Sequence, residues 1–111
     1  RIGNMDSALK YFESYSKGSD YLGASAYAGE AAIHELNGDL KKAGDLFSRA
    51  ATVFKSDITS PMYLESAARA YSAAGDPKSA LSAFETIRDD FPTSQAARNA
   101  DFFIAKMEAA K

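Results

Sequence analysis

The chain has 111 residues, of which 46% are hydrophobic and 25% are charged, a composition that fits a single folded domain with its own core. Its formal net charge of -2 argues against nucleic acid or an anionic membrane surface as the main partner, because both select a concentrated positive surface. The sequence contains no cysteine, which excludes disulfides and thiolate metal sites.

One ten-residue pattern occurs three times in the chain. It runs from Gly3 to Phe12, then over 38–47, and again over 75–84, so the copies start 35 and 37 residues apart. Each copy opens with Gly-Asp or Gly-Asn. Glycine can close one helix in the left-handed conformation, and the following side-chain oxygen can cap the next helix. The three copies therefore predict helical hairpins that recur at a fixed period.

Within each copy, a small residue and a large one are spaced as Ala-x-x-x-Phe. This spacing places both residues on one face of a helix, so that a neighbouring helix can approach at the alanine while the phenylalanine fills the adjacent gap. The same composition of small and aromatic residues is far more typical of a core than of a cofactor site. The pairs are Ala8 and Phe12, Ala43 and Phe47, and Ala80 and Phe84.

The apolar periodicity predicts six helices and no strand. Asn4 is expected to cap the first helix, Ser60 to cap the fourth with Pro61 as its first residue, and Thr93 or Ser94 to cap the last. Pro92 should stop the fifth helix from continuing. The predicted helices cover residues 5–16, 21–37, 40–54, 77–90 and 95–110, and the fourth helix runs from Pro61 towards the turn at Gly75.

This set of features resembles the tetratricopeptide repeat. The Gly-Asp turns, the Ala-x-x-x-Phe spacing and Pro92 match that family's pattern, as do Ala68 and Tyr71 before Gly75. The preceding repeat has Ala31 and His34 at the corresponding places, with histidine where the family prefers an aromatic residue. The resemblance implies an all-α fold, a right-handed α-solenoid of antiparallel helix pairs with about six helices.

We expect one domain over residues 1–111. Residues 1–18 would hold the second helix of a truncated repeat, 21–55 and 60–92 would be complete repeats, and 94–111 would form a capping helix. Because the chain begins at Arg1 directly on a turn, we expect it to be a piece of a longer protein.

The sequence offers few candidates for catalysis. His34 is the only histidine and lacks the second histidine of a helical zinc motif, so we interpret it as a packed side chain. Asp89 and Asp90 are interpreted as a solvated helix end. No nucleophile lies in a pattern with a base. We therefore expect no enzyme activity, no cofactor and no metal.

The resemblance implies that the first helix of each pair lines a concave groove that binds a peptide or a helix of a partner protein. Carried over by position, the candidate groove residues are Ser25, Ala28, Ala32 and Glu35, then Met62, Glu65, Arg69 and Ser72, then Asn99, Phe102 and Lys106. Among them we select Glu35, Met62, Glu65, Arg69, Phe102 and Lys106 as the partner-binding set. The residues by which some family members grip a terminal carboxylate are missing at Gly29 and Ser66.

Two further expectations concern context. The segment that begins Phe91-Pro92 and continues with spaced alanines resembles repeats of bacterial cell-envelope scaffold proteins, which implies a periplasmic or envelope location with a membrane anchor in the full-length protein. The alternative location is the cytoplasm. The alternative function to partner binding is a self-association or spacer module of a longer bacterial envelope protein. Met5, Leu9 and Phe12 share a face that no preceding helix covers, so we expect a weak homodimer through them.

Overall fold

Five helices follow one another in the computed structural model, which describes residues 7–10 and 20–109. Residues 7–10 are helical as well, and the described ranges contain no β-strand. None of the described helices is long and apolar enough to cross a membrane. The five are α1 (Tyr21–Leu36), α2 (Leu40–Val53), α3 (Thr59–Ala73), α4 (Pro77–Asp90) and α5 (Gln95–Ala109).

Each helix packs against the next one in the chain, and α3 also contacts α5. The first helices of successive pairs, α1, α3 and α5, therefore form one layer, and α2 and α4 form the other. This arrangement confirms the predicted all-α helical repeat. The right-handed sense of the stack stays a prediction.

Glycines close the first helix of each pair, as predicted. Gly38 and Gly75 have φ angles of 84° and 77°, in the left-handed region that glycine enters without a steric penalty. After Gly75, the amide of Asp76 donates to the carbonyl of Tyr71 at 2.9 Å, and the Asp76 side chain accepts from the amide of Ser79 at 3.2 Å. The turn at Gly75 and Asp76 therefore has both predicted features, the left-handed glycine and the capping side chain.

The predicted cap at Asp39, in the turn after Gly38, is wrong. The side chain of Asp39 caps no amide of α2, and its carboxylate instead lies 3.6 Å from Nδ1 of His34. The alternative contact is available because His34 occupies the last turn of α1, next to the turn that carries Asp39. The predicted cap at Asn4 lies outside the described residues.

The predicted start of α3 is also wrong, because Ser60 is not its cap. The helix begins at Thr59, and Ser56 accepts hydrogen bonds from the amides of Ile58 and Thr59 at 3.1 and 3.2 Å. Ser60 is fully buried and donates to the carbonyl of Ala51 at 2.8 Å. Its hydroxyl joins α3 to the preceding helix. At α5, by contrast, Ser94 caps as predicted, accepting from the amide of Ala97 at 3.0 Å.

Alanines occupy the places where helices meet. Ala43 on α2 and Ala80 on α4 are fully buried, as are Ala67 and Ala70 on α3 between them. A methyl side chain lets helix axes approach closely but buries little apolar area, so larger side chains have to supply most of the hydrophobic stabilisation. Those that are buried include Phe47, Leu64, Tyr71, Phe84, Ile87, Phe91 and Ile104.

Candidate partner-binding groove

An open cavity lies between α3 and α5, with α4 beneath it. Its volume is about 660 Å³, which is within the range of pockets that bind ligands. We call this cavity the groove. Its lining residues are Glu65, Arg69 and Ser72 of α3, Phe84 of α4, and Phe103, Lys106 and Met107 of α5.

The floor of the groove is apolar. Phe84 and Phe103 stack with ring centroids 5.1 Å apart and an interplanar angle of 15°. Phe84 is buried, whereas Phe103 keeps 40% of its surface exposed, and Met107 lies one turn beyond Phe103 on the same helix. Because Phe84 is held in the core by α4, it fixes the position of the more exposed ring. A half-exposed aromatic surface of this kind is a typical anchor site for a binding partner.

Cross-helix side-chain bridges run along the same face. Arg69 donates from Nε and Nη2 to the two carboxylate oxygens of Glu35 at 3.1 and 3.0 Å, which joins α3 to α1. The Nδ2 of Asn99 donates to Glu65 at 3.0 Å, which joins α5 to α3. Both bridges link residues that are 34 positions apart. The bidentate geometry of the first bridge holds the guanidinium in a fixed orientation.

Lys106 differs from these side chains. Within the described part of the chain its ammonium group makes no ion pair, although it lies at the edge of the groove. The charged groups around the floor are therefore of two kinds. Arg69 and Glu65 are already held by neighbouring helices, while Lys106 is available to a ligand.

The structure brings together part of the set selected from the sequence. Glu65, Arg69 and Lys106 line the groove, and Glu35 reaches it through its bridge to Arg69. Met62 lies in the first turns of α3, outside the lining set, with 56% of its surface exposed.

Phe102 is not the aromatic residue of the groove. It is 64% exposed and meets Phe103 edge to face, with centroids 5.6 Å apart. Successive residues of a helix point about 100° apart, so a shift of one position moves a side chain off a face. The sequence does contain a feature that identifies Phe103. It lies three residues after Ala100 and next to Ile104, both of which are buried, so it is expected at the border of the core and not on the open face of α5.

The other candidates considered from the sequence are His34, Asp89 and Asp90. His34 is buried, as its interpretation as a packed side chain requires. No group of three or more His, Asp or Glu side chains in the described ranges could hold a metal ion. Asp89 pairs with Arg88 at 2.8 Å, and this hydrogen bond lowers the pKa of Asp89 and raises that of Arg88.

The proposed dimer contact cannot be placed in the same way. Met5 and Phe12 lie outside the described residues, and Leu9 is half-buried within the helical segment 7–10. The weak homodimer stays a prediction.

Comparison of the chain with family models, with curated proteins and with solved structures gives no match in any of the three. The tetratricopeptide resemblance therefore rests on the residues of this chain alone.

Proposed function

We propose that this chain is a non-catalytic protein-binding scaffold that holds a peptide or helix of a partner in the groove between α3 and α5. The observation that carries the proposal is the stacked pair of Phe84 and Phe103, which presents an apolar surface inside a rim of polar side chains. Interfaces concentrate binding energy in such apolar centres, with polar groups around them excluding water.

The bridges along the groove support binding over catalysis. Arg69 is held by Glu35 and Glu65 is held by Asn99, so these charged groups act as fixed walls. A rigid wall lowers the entropy lost when a ligand is ordered against it.

The proposal includes a tetratricopeptide-like class and a bacterial-envelope setting. The tetratricopeptide-like class is supported by the Gly-Asp turns and the Ala-x-x-x-Phe spacings, together with the layer that α1, α3 and α5 form. What supports the setting is the Phe-Pro segment at Phe91.

The test uses two neighbouring phenylalanines. Peptides are first selected from a displayed random library on the immobilised chain, and their affinities are then measured in solution. Phe103→Ala should weaken binding by about tenfold or more, because it removes the exposed half of the stacked pair. Phe102→Ala is the matched control, and it should have a much smaller effect because Phe102 lies outside the groove.

Circular dichroism of both variants checks that helicity is unchanged. Arg69→Glu should also weaken binding, since it places a second carboxylate against Glu35. A library that yields no binder, or equal losses from the two phenylalanine variants, would contradict the proposal.

A further inference from the structure

The bridge between α1 and α3 has a counterpart between α3 and α5 that is incomplete. Gly38 and Gly75 are 37 residues apart, and the same shift relates Glu35 to Ser72 and Arg69 to Lys106. Where α1 and α3 place a carboxylate opposite a guanidinium, α3 and α5 place a hydroxyl opposite an ammonium group. Ser72 and Lys106 both line the groove.

Lys106 is therefore a cation that has no carboxylate partner among the described residues. At the first position the positive charge is neutralised by Glu35 at 3.0 Å. At the second, Ser72 is too short and carries no charge, and Lys106 makes no ion pair with any described residue. Phe103 lies three positions before Lys106 on α5 and Met107 lies one position after it. Both line the groove with Lys106, so they are the nearest places for an apolar group of a ligand.

We propose that Lys106 binds a carboxylate supplied by the partner, an Asp or Glu side chain that stands beside a large apolar side chain in the bound segment. The apolar side chain lies on Phe103 and Met107, and the carboxylate takes the place that Glu35 takes opposite Arg69. This inference rests on the proposed function, because it names the chemistry of the segment that the groove holds.

Charge complementarity favours this partner over a basic one. A carboxylate near Lys106 gains a charge-assisted hydrogen bond, whereas a second cation there is repelled by the ammonium. Of the other rim charges, Arg69 is paired with Glu35 and one carboxylate oxygen of Glu65 accepts from Asn99, so Lys106 is the rim charge that has no side-chain partner among the described residues.

The probes are short peptides, acetylated and amidated so that they carry no terminal charge. Each has one central Trp, and the neighbouring positions carry Glu, Gln or Lys. The quantity measured is the ratio of the affinity of a Glu peptide to that of its Gln counterpart. On the unmodified chain we expect a ratio of about tenfold, as for one favourable charge contact.

Two variants test the assignment. Ser72→Glu supplies the missing carboxylate from within the chain, so it should reduce the ratio towards one. Ser72→Gln is the comparator of similar size, and the difference between these two variants measures the effect of charge alone. Lys106→Glu should reverse the preference, so that the Lys peptide binds more tightly than the Glu peptide.

The outcomes separate the two proposals. Peptides that bind through Phe103 with no preference for Glu, or a preference that survives Ser72→Glu and Lys106→Glu, would overturn this inference and leave the proposed function standing. If no apolar peptide binds, both fail. A preference for Glu that both variants abolish supports the assignment of Lys106.

Discussion

At the scale of single residues, the contact between Lys41 and Asp76 joins α2 to the first turn of α4. The Lys41 ammonium lies 2.5 Å from the Asp76 carboxylate, which also accepts from the amide of Ser79. The hydrogen bond from Lys41 lowers the pKa of Asp76 most, and those from Ser79 add to the effect. Together they lower this pKa to about 2 from its ordinary value of 3.8. The same carboxylate thus serves as helix cap and as ion-pair partner.

This shifted pKa predicts how stability depends on pH. Because the folded pKa lies below the ordinary one, the charged form of Asp76 stabilises the fold above about pH 4, and this contribution is lost as the pH falls from 3.8 towards 2. Asp76→Asn keeps a capping oxygen but removes the charge. The difference in unfolding free energy between the two proteins should therefore shrink over that window, as measured by urea unfolding. A difference that is constant with pH would contradict it.

Gly44 lies where α2 comes close to the Tyr71 side chain of α3. A Cβ atom at this position would lie 2.6 Å from a ring carbon of Tyr71, a distance at which something has to move. The ring has little freedom to do so, because its hydroxyl donates to Asp45 at 2.6 Å and Lys41 lies 4.9 Å from its centroid. The corresponding position of the second repeat is Leu81, so this glycine is required by one contact and not by the repeat pattern.

Gly44→Ala should therefore destabilise the protein by about 1 to 3 kcal/mol through overpacking. Helix propensity alone would predict the opposite sign, a gain of about 1 kcal/mol. Chemical denaturation distinguishes the two effects. In a Tyr71→Leu background most of the cost should disappear, because the rigid ring is gone. An unchanged or raised midpoint for Gly44→Ala alone would show that the ring can move.

At the scale of the elements, the connection from α2 to α3 depends on one hydroxyl. Ser60 donates to the carbonyl of Ala51, and its oxygen accepts from the amide of Ser56 at 3.0 Å. Both partners lie in the preceding helix or the connection itself, so the hydroxyl fixes the path of the chain between two helices. It is fully buried, and water cannot replace it without local opening.

Ser60→Ala should cost about 1 to 3 kcal/mol, because it leaves the buried partners of the hydroxyl unsatisfied. The neighbouring Thr59 provides the matched control. Its hydroxyl is buried and makes no hydrogen bond in the described part of the chain, so Thr59→Ala should cost clearly less. Thermal unfolding of both variants gives the comparison, and equal losses would assign the effect to packing instead of hydrogen bonding.

The elements that sequence reasoning predicted well are those with local causes. Gly75 needs a left-handed φ and Asp76 caps within three residues, so a short segment contains the whole explanation. Ser60 and Asp39 were misjudged because their partners are set by tertiary contacts. In the groove, Glu65 and Arg69 followed from the repeat register, whereas the choice of Phe103 over Phe102 depends on how α5 is rotated against α4.

At the scale of the whole molecule, stability is distributed along a line of neighbouring helices. The central helix α3 packs against α2 and α4, whereas the main contacts of α5 within the described residues are with α4 and α3. In such an array, each helix depends mainly on the contacts that it makes with its immediate neighbours. A defect at one end should therefore open that end before it affects the other.

Hydrogen exchange can measure this distribution. Ile104→Ala on α5 removes a buried side chain, and it should speed amide exchange most in α5, less in α4 and least in α1. Ile33→Ala on α1 is the mirror experiment and should give the reverse order. If either variant accelerated exchange equally in all helices, the molecule would be a single cooperative unit.

The bridges on the groove face link residues 34 positions apart, whereas equivalent positions of the two repeats lie 37 apart. Each bridge therefore reaches a residue three positions before the equivalent position of the next helix, which corresponds to about 4.5 Å of helix length. This offset has the same sign at both junctions, so the bridges recur at a regular interval along the groove face. A longer array of this unit would present its polar side chains at that interval, and it would therefore select ligands by the periodicity of their side chains as well as by their composition.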